Sequence, residues 1–268
     1  MENKIDRTGE RGCNNFGSEM IIINSYMKFN DKYKRNYKHV DVYFPEYDWT
    51  FKNVQYQNFK KGNVKCPYER RYYGVGCLGE GEYKVSENGR QTKVYNTWHG
   101  MLERCYDEKL QEKHPTYKGC IVCEEWHNFQ NFAEWYYENY YEIEGERMCL
   151  DKDILIKGNK IYSPDTCILV PHTINTLFVK RDKARGKSVI GATLTKNGKY
   201  VSQCNLINPK TGKSKLKHLG YYETQEKAFE IYKYYKERNV KQVADYYKDE
   251  IPQILYNALY EYEVEIND

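Results

Sequence analysis

No apolar run in this 268-residue sequence approaches the roughly 20 residues needed to cross a bilayer. The opening residues, MENKIDRTGERG, lack the apolar stretch of a secretory signal. Both absences predict a cytoplasmic protein without a membrane partner. Nine cysteines with no secretion signal predict reduced thiols, metal ligands or small buried hydrophobes rather than a disulfide framework. No internal repeat is visible. The glycines of Tyr73-GVGCLGEGEY do not precede a helix in a βαβ unit, which argues against a nucleotide-binding loop. Phenylalanine is scarce, 9 residues against 29 tyrosines, so many packed rings carry a hydroxyl that needs a partner.

What the sequence has instead is segregated charge. The net charge is only +4, but residues 180 to 248 hold 17 Lys/Arg against 6 Asp/Glu, whereas residues 101 to 153 hold 6 against 13. The last twenty residues carry 6 acids and no base. Positive charge concentrated in one module suits a polyanion, because each phosphate neutralised releases condensed counterions. A solvated lysine-rich face is the alternative.

Along the chain, residues 1–85 show short β-rich runs (MIIINSYMKF, HVDVYFP, VQYQNFKKG) broken by Asn, Asp, Pro and Gly, and predict a small barrel or half-open sheet. From Lys93 the period becomes helical. Tyr95, Trp98, Met101, Leu102 and Cys105 fall on one face, then Val122, Trp126, Phe129, Phe132, Ala133 and Tyr136 at helical spacing. The stretch MCLDKDILIKGNKIYSPDTCILVPHTINTLF reads as strand, turn at Lys157-Gly158-Asn159, strand, and a helix opened by Pro171. After a basic linker, KRDKARGK, three strands follow with turns at Asn197-Gly198 and Asn208–Gly212, then a helix N-capped by Thr224.

In such a meander one face packs on the helix and the other is left for a partner. Lys196, Lys199, Gln203, Lys213, Lys215 and Lys217 are the candidates for that outer, nucleic-acid-binding face. The anchors Ile190-Gly191-Ala192, Gly198-Lys199-Tyr200 and His218-Leu-Gly-Tyr-Tyr-x-Thr224, with Ala228 and Tyr232, resemble the apetala-two (ethylene-response-factor) DNA-binding domain over about 60 residues. The resemblance implies a sheet face lying in the major groove of double-stranded DNA. It also implies base or phosphate contacts from Lys199, Gln203, Lys215 and Lys217, with His218, Leu219, Gly220 and Tyr221 setting the strand-to-helix packing. That family's strands carry arginines where these carry lysines, and a lysine reads guanine less geometrically.

The anchors W-x-x-M-L-x-R-C-Y from Trp98, Y-x-G-x-x-V-C-x-x-W-x-x-F-x-x-F from Tyr117, L-D-K-D, and Y-S-P-x-T-C-x-L-V-P-x-x-I-N resemble the HNH-like endonuclease family of phages and prophages. The first segment, with R-x-G, D-V-x-F, F-x-x-G-x-V and G-V-G-x-L-G, is similar to a module placed ahead of such domains. The resemblance implies a ββα finger that hydrolyses phosphodiesters with one divalent cation, Mg²⁺ or Mn²⁺. Transferred residue by residue, it implies catalytic roles for Asp151, Lys152, Asp153 and His172, with Asp151, His172 and Asn175 holding the metal. Lys152 stands where the nucleases keep a histidine, and Thr166 where a middle asparagine is usual.

Cys105, Cys120, Cys123 and His127 could supply four zinc ligands, with core cysteines as the alternative. Cys149 and Cys167 fit small apolar packing on neighbouring strands. Trp135, Tyr136, Tyr137, Tyr140 and Tyr141 fit core packing better than base stacking. Together these readings predict an α+β protein: a β-rich module (1–85), an HNH-like ββα domain with flanking helices (93–179), an apetala-two-like three-stranded sheet plus helix (187–248) and an acidic helical tail (249–268). The expected function is DNA binding with homing or nicking endonuclease activity. The alternative is a catalytically inactive phage regulator or inhibitor of a host defence nucleoprotein complex, which the acidic stretches would suit by imitating DNA.

Overall fold

The computed structural model describes residues 5–179 and 188–268, so the expected linker 180–187 lies outside the described residues. The fold is α+β, and the chain divides into two compact units: 1–113 with 124–134, and 114–123 with 135–268.

The first unit is built on an antiparallel meander, β1 (Arg11–Cys13), β2 (Glu19–Asn30), β3 (Arg35–Phe44) and β4 (Trp49–Gln55), in sequential order. Alternation puts Met20, Ile22, Val40, Val42, Phe44 and Val54 on the buried face, covered by Phe59 and Tyr56 from helix α1 (Tyr56–Lys60). Past a small hairpin, β5 (Ser86–Glu87) and β6 (Arg90–Gln91), comes helix α2 (Lys93–Tyr106). Thr92 caps it, accepting from Tyr95 N at 3.3 Å. All five residues expected on its apolar face are buried. The glycine-rich segment lies against this helix: a Cβ built on Gly76 would come 2.5 Å from Leu102 Cδ1 and 3.0 Å from Trp98 Cζ2. Gly76 serves packing. Helix α3 (Glu108–Lys113) completes the run.

The expected second amphipathic helix starts later than its spacing implied, as α4 (Phe129–Asn139). Val122 lies instead in β7 (Ile121–Val122), and Trp126 in a 3-10 turn. Val122 and Trp126 are buried nonetheless. A distant segment, β9 (Ile161–Tyr162), claims the backbone of β7 as a parallel partner, a demand invisible to local periodicity.

In the second unit β8 (Met148–Asp151) pairs antiparallel with β10 (Ile168–Pro171), which runs directly into helix α5 (His172–Leu177). This is the expected strand–strand–helix order, but residues 152–167 form a long connection rather than a hairpin turn, because β9 within it pairs elsewhere. Downstream, β11 (Ala192–Leu194), β12 (Tyr200–Ile207) and β13 (Ser214–Tyr222) form an antiparallel sheet in that order. Helix α6 (Gln225–Tyr247) follows, capped by Thr224, which accepts from Lys227 N at 3.2 Å. The chain ends with α7 (Gln253–Glu261).

The boundaries expected at 179/187 and 248/249 do not separate cores. Ile168, Val170, Ile174 and Leu177 of the strand–strand–helix segment share one cluster with Val240, Val243 and Ala244 of α6 and Leu255 and Leu259 of α7. A 23-residue helix is about 35 Å long, more than a three-stranded sheet can cover, so its second half meets the ββα segment. Nor is the acidic tail loose: Lys157 pairs with Glu265 (3.5 Å) and Asp268 (2.9 Å), and Lys233 with Glu263 (3.8 Å).

Gly191 is where the sheet meets α6. Its φ is +73°, and a Cβ there would lie 1.9 Å from Tyr232 Cγ. Gly191→Ala is expected to cost about 3 kcal/mol or more, combining a left-handed backbone with an overpacked ring. Chemical denaturation checks this, and a loss under about 1 kcal/mol would mean that the ring yields.

Candidate nucleic-acid interface and the strand–strand–helix unit

At the end of β8, Asp151 Oδ1 accepts from Asp153 N (2.7 Å) and Ile154 N (2.8 Å), so this carboxylate closes the turn that leaves the strand. Burial pushes its carboxyl above the usual carboxylate range, while the two backbone N–H groups pull the other way. Lys152 is buried, and its ammonium donates to Asp153 Oδ2 (2.7 Å) and Asn159 O (2.6 Å) and lies 5.8 Å from the Tyr162 ring centroid. Asn159 Nδ2 in turn donates to Lys152 O and Ile161 O, so the connection is knitted around the lysine. Thr166 donates to Ile161 O at 2.7 Å, tying the turn before β10.

His172 begins α5 and is exposed, with Asn175 half-buried one turn on. Arg147 Nη2 stands 3.2 Å from His172 Nδ1, and Cys149 Sγ 3.7 Å from it. A guanidinium can only donate, so Nδ1 is the acceptor in this contact. Of the expected Mg²⁺ or Mn²⁺ set of Asp151, His172 and Asn175, Asp151 closes a turn through Oδ1 and His172 faces Arg147 through Nδ1. Among the described residues no group of three or more His, Cys, Asp or Glu side chains is gathered to hold a metal ion, and the zinc candidates Cys105, Cys120, Cys123 and His127 are no exception. His127 Nε2 lies 3.3 Å from Tyr106 OH, Cys105 is buried on the α2 face, and Cys120 is buried beside Thr116 O. All nine cysteines are free, and burial raises the Cys204 thiol to about 11 and Cys167 to about 12.

The C-terminal sheet differs from its expected arrangement in one respect. In β12, Ser202 and Cys204 are buried toward α6, and Ser202 Oγ donates to Ala228 O at 2.8 Å. Directly paired residues of an antiparallel ladder share a face. Cys204 pairs with Lys217 and Leu206 with Lys215, so both lysines lie on the helix side, and Lys217 Nζ sits 4.6 Å over the Tyr235 ring of α6. This corrects their expected outer-face position. The cause is a bulge: Ser202 pairs with Gly220 but Gln203 with His218, leaving Leu219 unpaired and shifting β13 by one residue. A single extra residue inverts every side chain beyond it.

The face away from α6 is therefore Thr193 on β11, Val201, Gln203 and Asn205 on β12, and Leu216, His218 and Tyr221 on β13. Leu216 is 55% and Tyr221 62% exposed, and the His218 and Tyr221 rings lie 4.9 Å apart. Those two were expected to pack strand on helix; of that group only Leu219 and Gly220 turn inward. Lysines frame the face at its ends. Lys196 and Lys199 flank the β11–β12 turn, Lys210 and Lys213 the β12–β13 turn, and Lys199 pairs with Glu223 at 2.6 Å. Asn205, Leu216 and the outward rings were missed because the bulge has no sequence signal beyond Gly220.

The turn around Asp151 has a testable pH signature. A carboxyl raised on folding binds its proton more tightly in the native state, so stability falls as pH rises from the unfolded carboxylate value through the folded one. Asp151→Asn keeps the accepting oxygen without the charge, so its stability relative to the parent should grow from pH 4 to 7. Asp151→Ala should cost about 1–2 kcal/mol throughout by stranding two N–H groups. Urea unfolding across this range decides, and a pH-independent Asn–parent difference would refute the burial effect.

Compared with protein-family models, curated proteins and solved structures, the chain matches none of them.

Proposed function

We propose that this chain binds double-stranded DNA through the outer face of β11, β12 and β13, and that the ββα segment is a scaffold for that sheet rather than a hydrolytic centre. The observation carrying the reading is the register of β12 and β13: amides and rings occupy the middle of the face, with lysines at its ends. Gln203 and Asn205 can each meet an adenine edge in bidentate fashion, while Thr193, Val201 and Leu216 suit thymine methyl groups. Lys196, Lys199, Lys210 and Lys213 suit the flanking phosphates, which hold the register without reading sequence. Sequence preference then comes from amides, and the shortage of arginine on the strands ceases to matter.

Support for the scaffold role comes from Asp151, Lys152 and His172, each committed to a neighbour within the segment. A second reading, metal-dependent nicking, is favoured by the β8–β10–α5 order itself, with His172 at the helix start.

Fluorescence anisotropy with a duplex selected from a random pool tests the first reading. Gln203→Ala and Asn205→Ala should each weaken the selected duplex by about 1–3 kcal/mol with little effect on random DNA. Lys213→Ala should flatten the salt dependence by about 0.9. Lys215→Ala with Lys217→Ala should do less than Lys213→Ala alone, and the reverse order would sink the proposed face. Incubating supercoiled plasmid with Mg²⁺ or Mn²⁺ should leave it intact, whereas nicking that disappears in His172→Ala would establish the second reading instead.

A further inference from the structure

Beyond the sheet of the first unit, β2 and β3 continue alone. β4 reaches only His39 and β1 only Ile21, yet the β2–β3 ladder runs on through Tyr26↔His39, Met27↔Lys38, Lys28↔Tyr37 and Phe29↔Asn36 to Asn30↔Arg35. The four residue pairs beyond His39 and a turn make a two-stranded arm whose paired part is about 14 Å long. An isolated ribbon in water is marginal. This one is reinforced by its own side chains. Tyr26 stacks on His39 with centroids 6.3 Å apart, and Arg35 lies 4.6 Å over Tyr37 while Nε donates to that hydroxyl at 2.6 Å. Asn30 Oδ1 accepts from Lys32 N and Tyr33 N across the tip, and Lys34 takes the left-handed turn position at φ 51°.

The stiffened arm has no core to protect, and its surface is unusual for a solvated hairpin. Met27, Phe29 and Tyr33 are 37%, 51% and 58% exposed. Residues 25–40 carry Lys28, Lys32, Lys34, Arg35 and Lys38 against the single acid Asp31. Lys28 reaches Asn53, Lys38 donates to Ile5 O, and Lys34 pairs loosely with Asp31 at 3.9 Å with both side chains largely exposed, so Lys32, Lys34 and Arg35 keep the tip net positive. Exposed rings with cations in excess of acids suit a polyanion that also offers apolar edges, which describes nucleic acid better than an acidic protein. Two strands with their side chains are roughly 10 Å across, against about 12 Å for the major groove of B-form DNA.

We infer that the β2–β3 arm is a second duplex-DNA contact, a ribbon that enters a groove with its tip lysines on the phosphates. It rests on residues of the first unit and does not depend on the C-terminal sheet being a DNA-binding face.

The test uses the full chain, a random 30-base-pair duplex and salt-dependent anisotropy. Lys32→Glu with Lys34→Asn changes only exposed tip positions, and asparagine tolerates the left-handed turn. Circular dichroism confirms that the variant is folded. Affinity at 150 mM salt should fall about tenfold or more and the salt slope by about 2, since each phosphate contact contributes roughly 0.9. The loss should multiply with that of Lys213→Ala. Unchanged affinity and slope in the folded tip variant would overturn the inference, as would stronger competition by single-stranded than by duplex oligonucleotide. If the tip variant loses binding while the sheet variants do not, the proposed sheet face fails and the arm stands. If the parent chain binds no duplex, both fail.

Discussion

A 23-residue amphipathic helix must be covered along its whole length, and the second unit is organised by that demand on α6. Its first half covers the three-stranded sheet with Ala228 and Tyr232, and its second half covers the ββα segment with Val240, Val243, Ala244 and Tyr247. At the midpoint Asn239 donates to Ile207 O (2.9 Å) and accepts from Ile207 N (2.8 Å), closing the end of β12 as another strand would. Further along, Glu146 accepts from Thr173 Oγ1 (2.6 Å) and Tyr247 OH (2.7 Å), joining α5 to α6. Lys236, its ammonium disfavoured by burial, donates to Leu177 O at 2.5 Å, where the last carbonyls of α5 want a cation. Removing any of these partners would leave a buried group unsatisfied, which costs more than the bond itself contributes.

The bulge at Leu219 is the second constraint, and it decides which residues of β13 face away from α6. Tyr232 fills the space above Gly191, and Gly220, at φ +129°, has no Cβ to oppose the hydroxyl of Tyr222. With Leu219 packed toward Phe229 and Tyr232, the remainder of β13 is displaced by one position. The lysines of Lys-Leu-Lys thus turn toward α6, and the leucine and histidine between and after them turn outward. Lys217 stays exposed while lying over the Tyr235 ring, a cation–π contact worth about 0.5–1 kcal/mol at exposed sites.

Most of the secondary structure was legible in the sequence. The apolar face of α2, the strand–strand–helix order ending at Pro171, the three C-terminal strands and the Thr224 cap all follow from period and capping chemistry, and all are present. What was not legible depends on distant partners. Ile121–Val122 is a strand only because Ile161–Tyr162 lies beside it, and α6 joins two segments that composition separates. The candidate site suffered from the same limit. Charge counting identified the basic module but could not say which face each lysine takes, because one bulged residue reverses the answer. The arm of β2 and β3 was hidden differently: its residues read as ordinary strands, and only the short reach of β1 and β4 leaves them unaccompanied.

The polar residues of the ββα segment illustrate how one side chain excludes a second use. An aspartate whose Oδ1 accepts two backbone N–H groups at 2.7 and 2.8 Å closes an Asx-type turn. A buried lysine ion-paired to the next residue and bonded to Asn159 O holds a 16-residue connection in place. Lys157 extends the same logic, since its ammonium donates to Glu263 O and pairs with Asp268. The connection between the two finger strands thereby anchors the chain's acidic end, which in turn reaches α6 through Val264 N donating to Glu237. The charges of this region thus face each other within the unit.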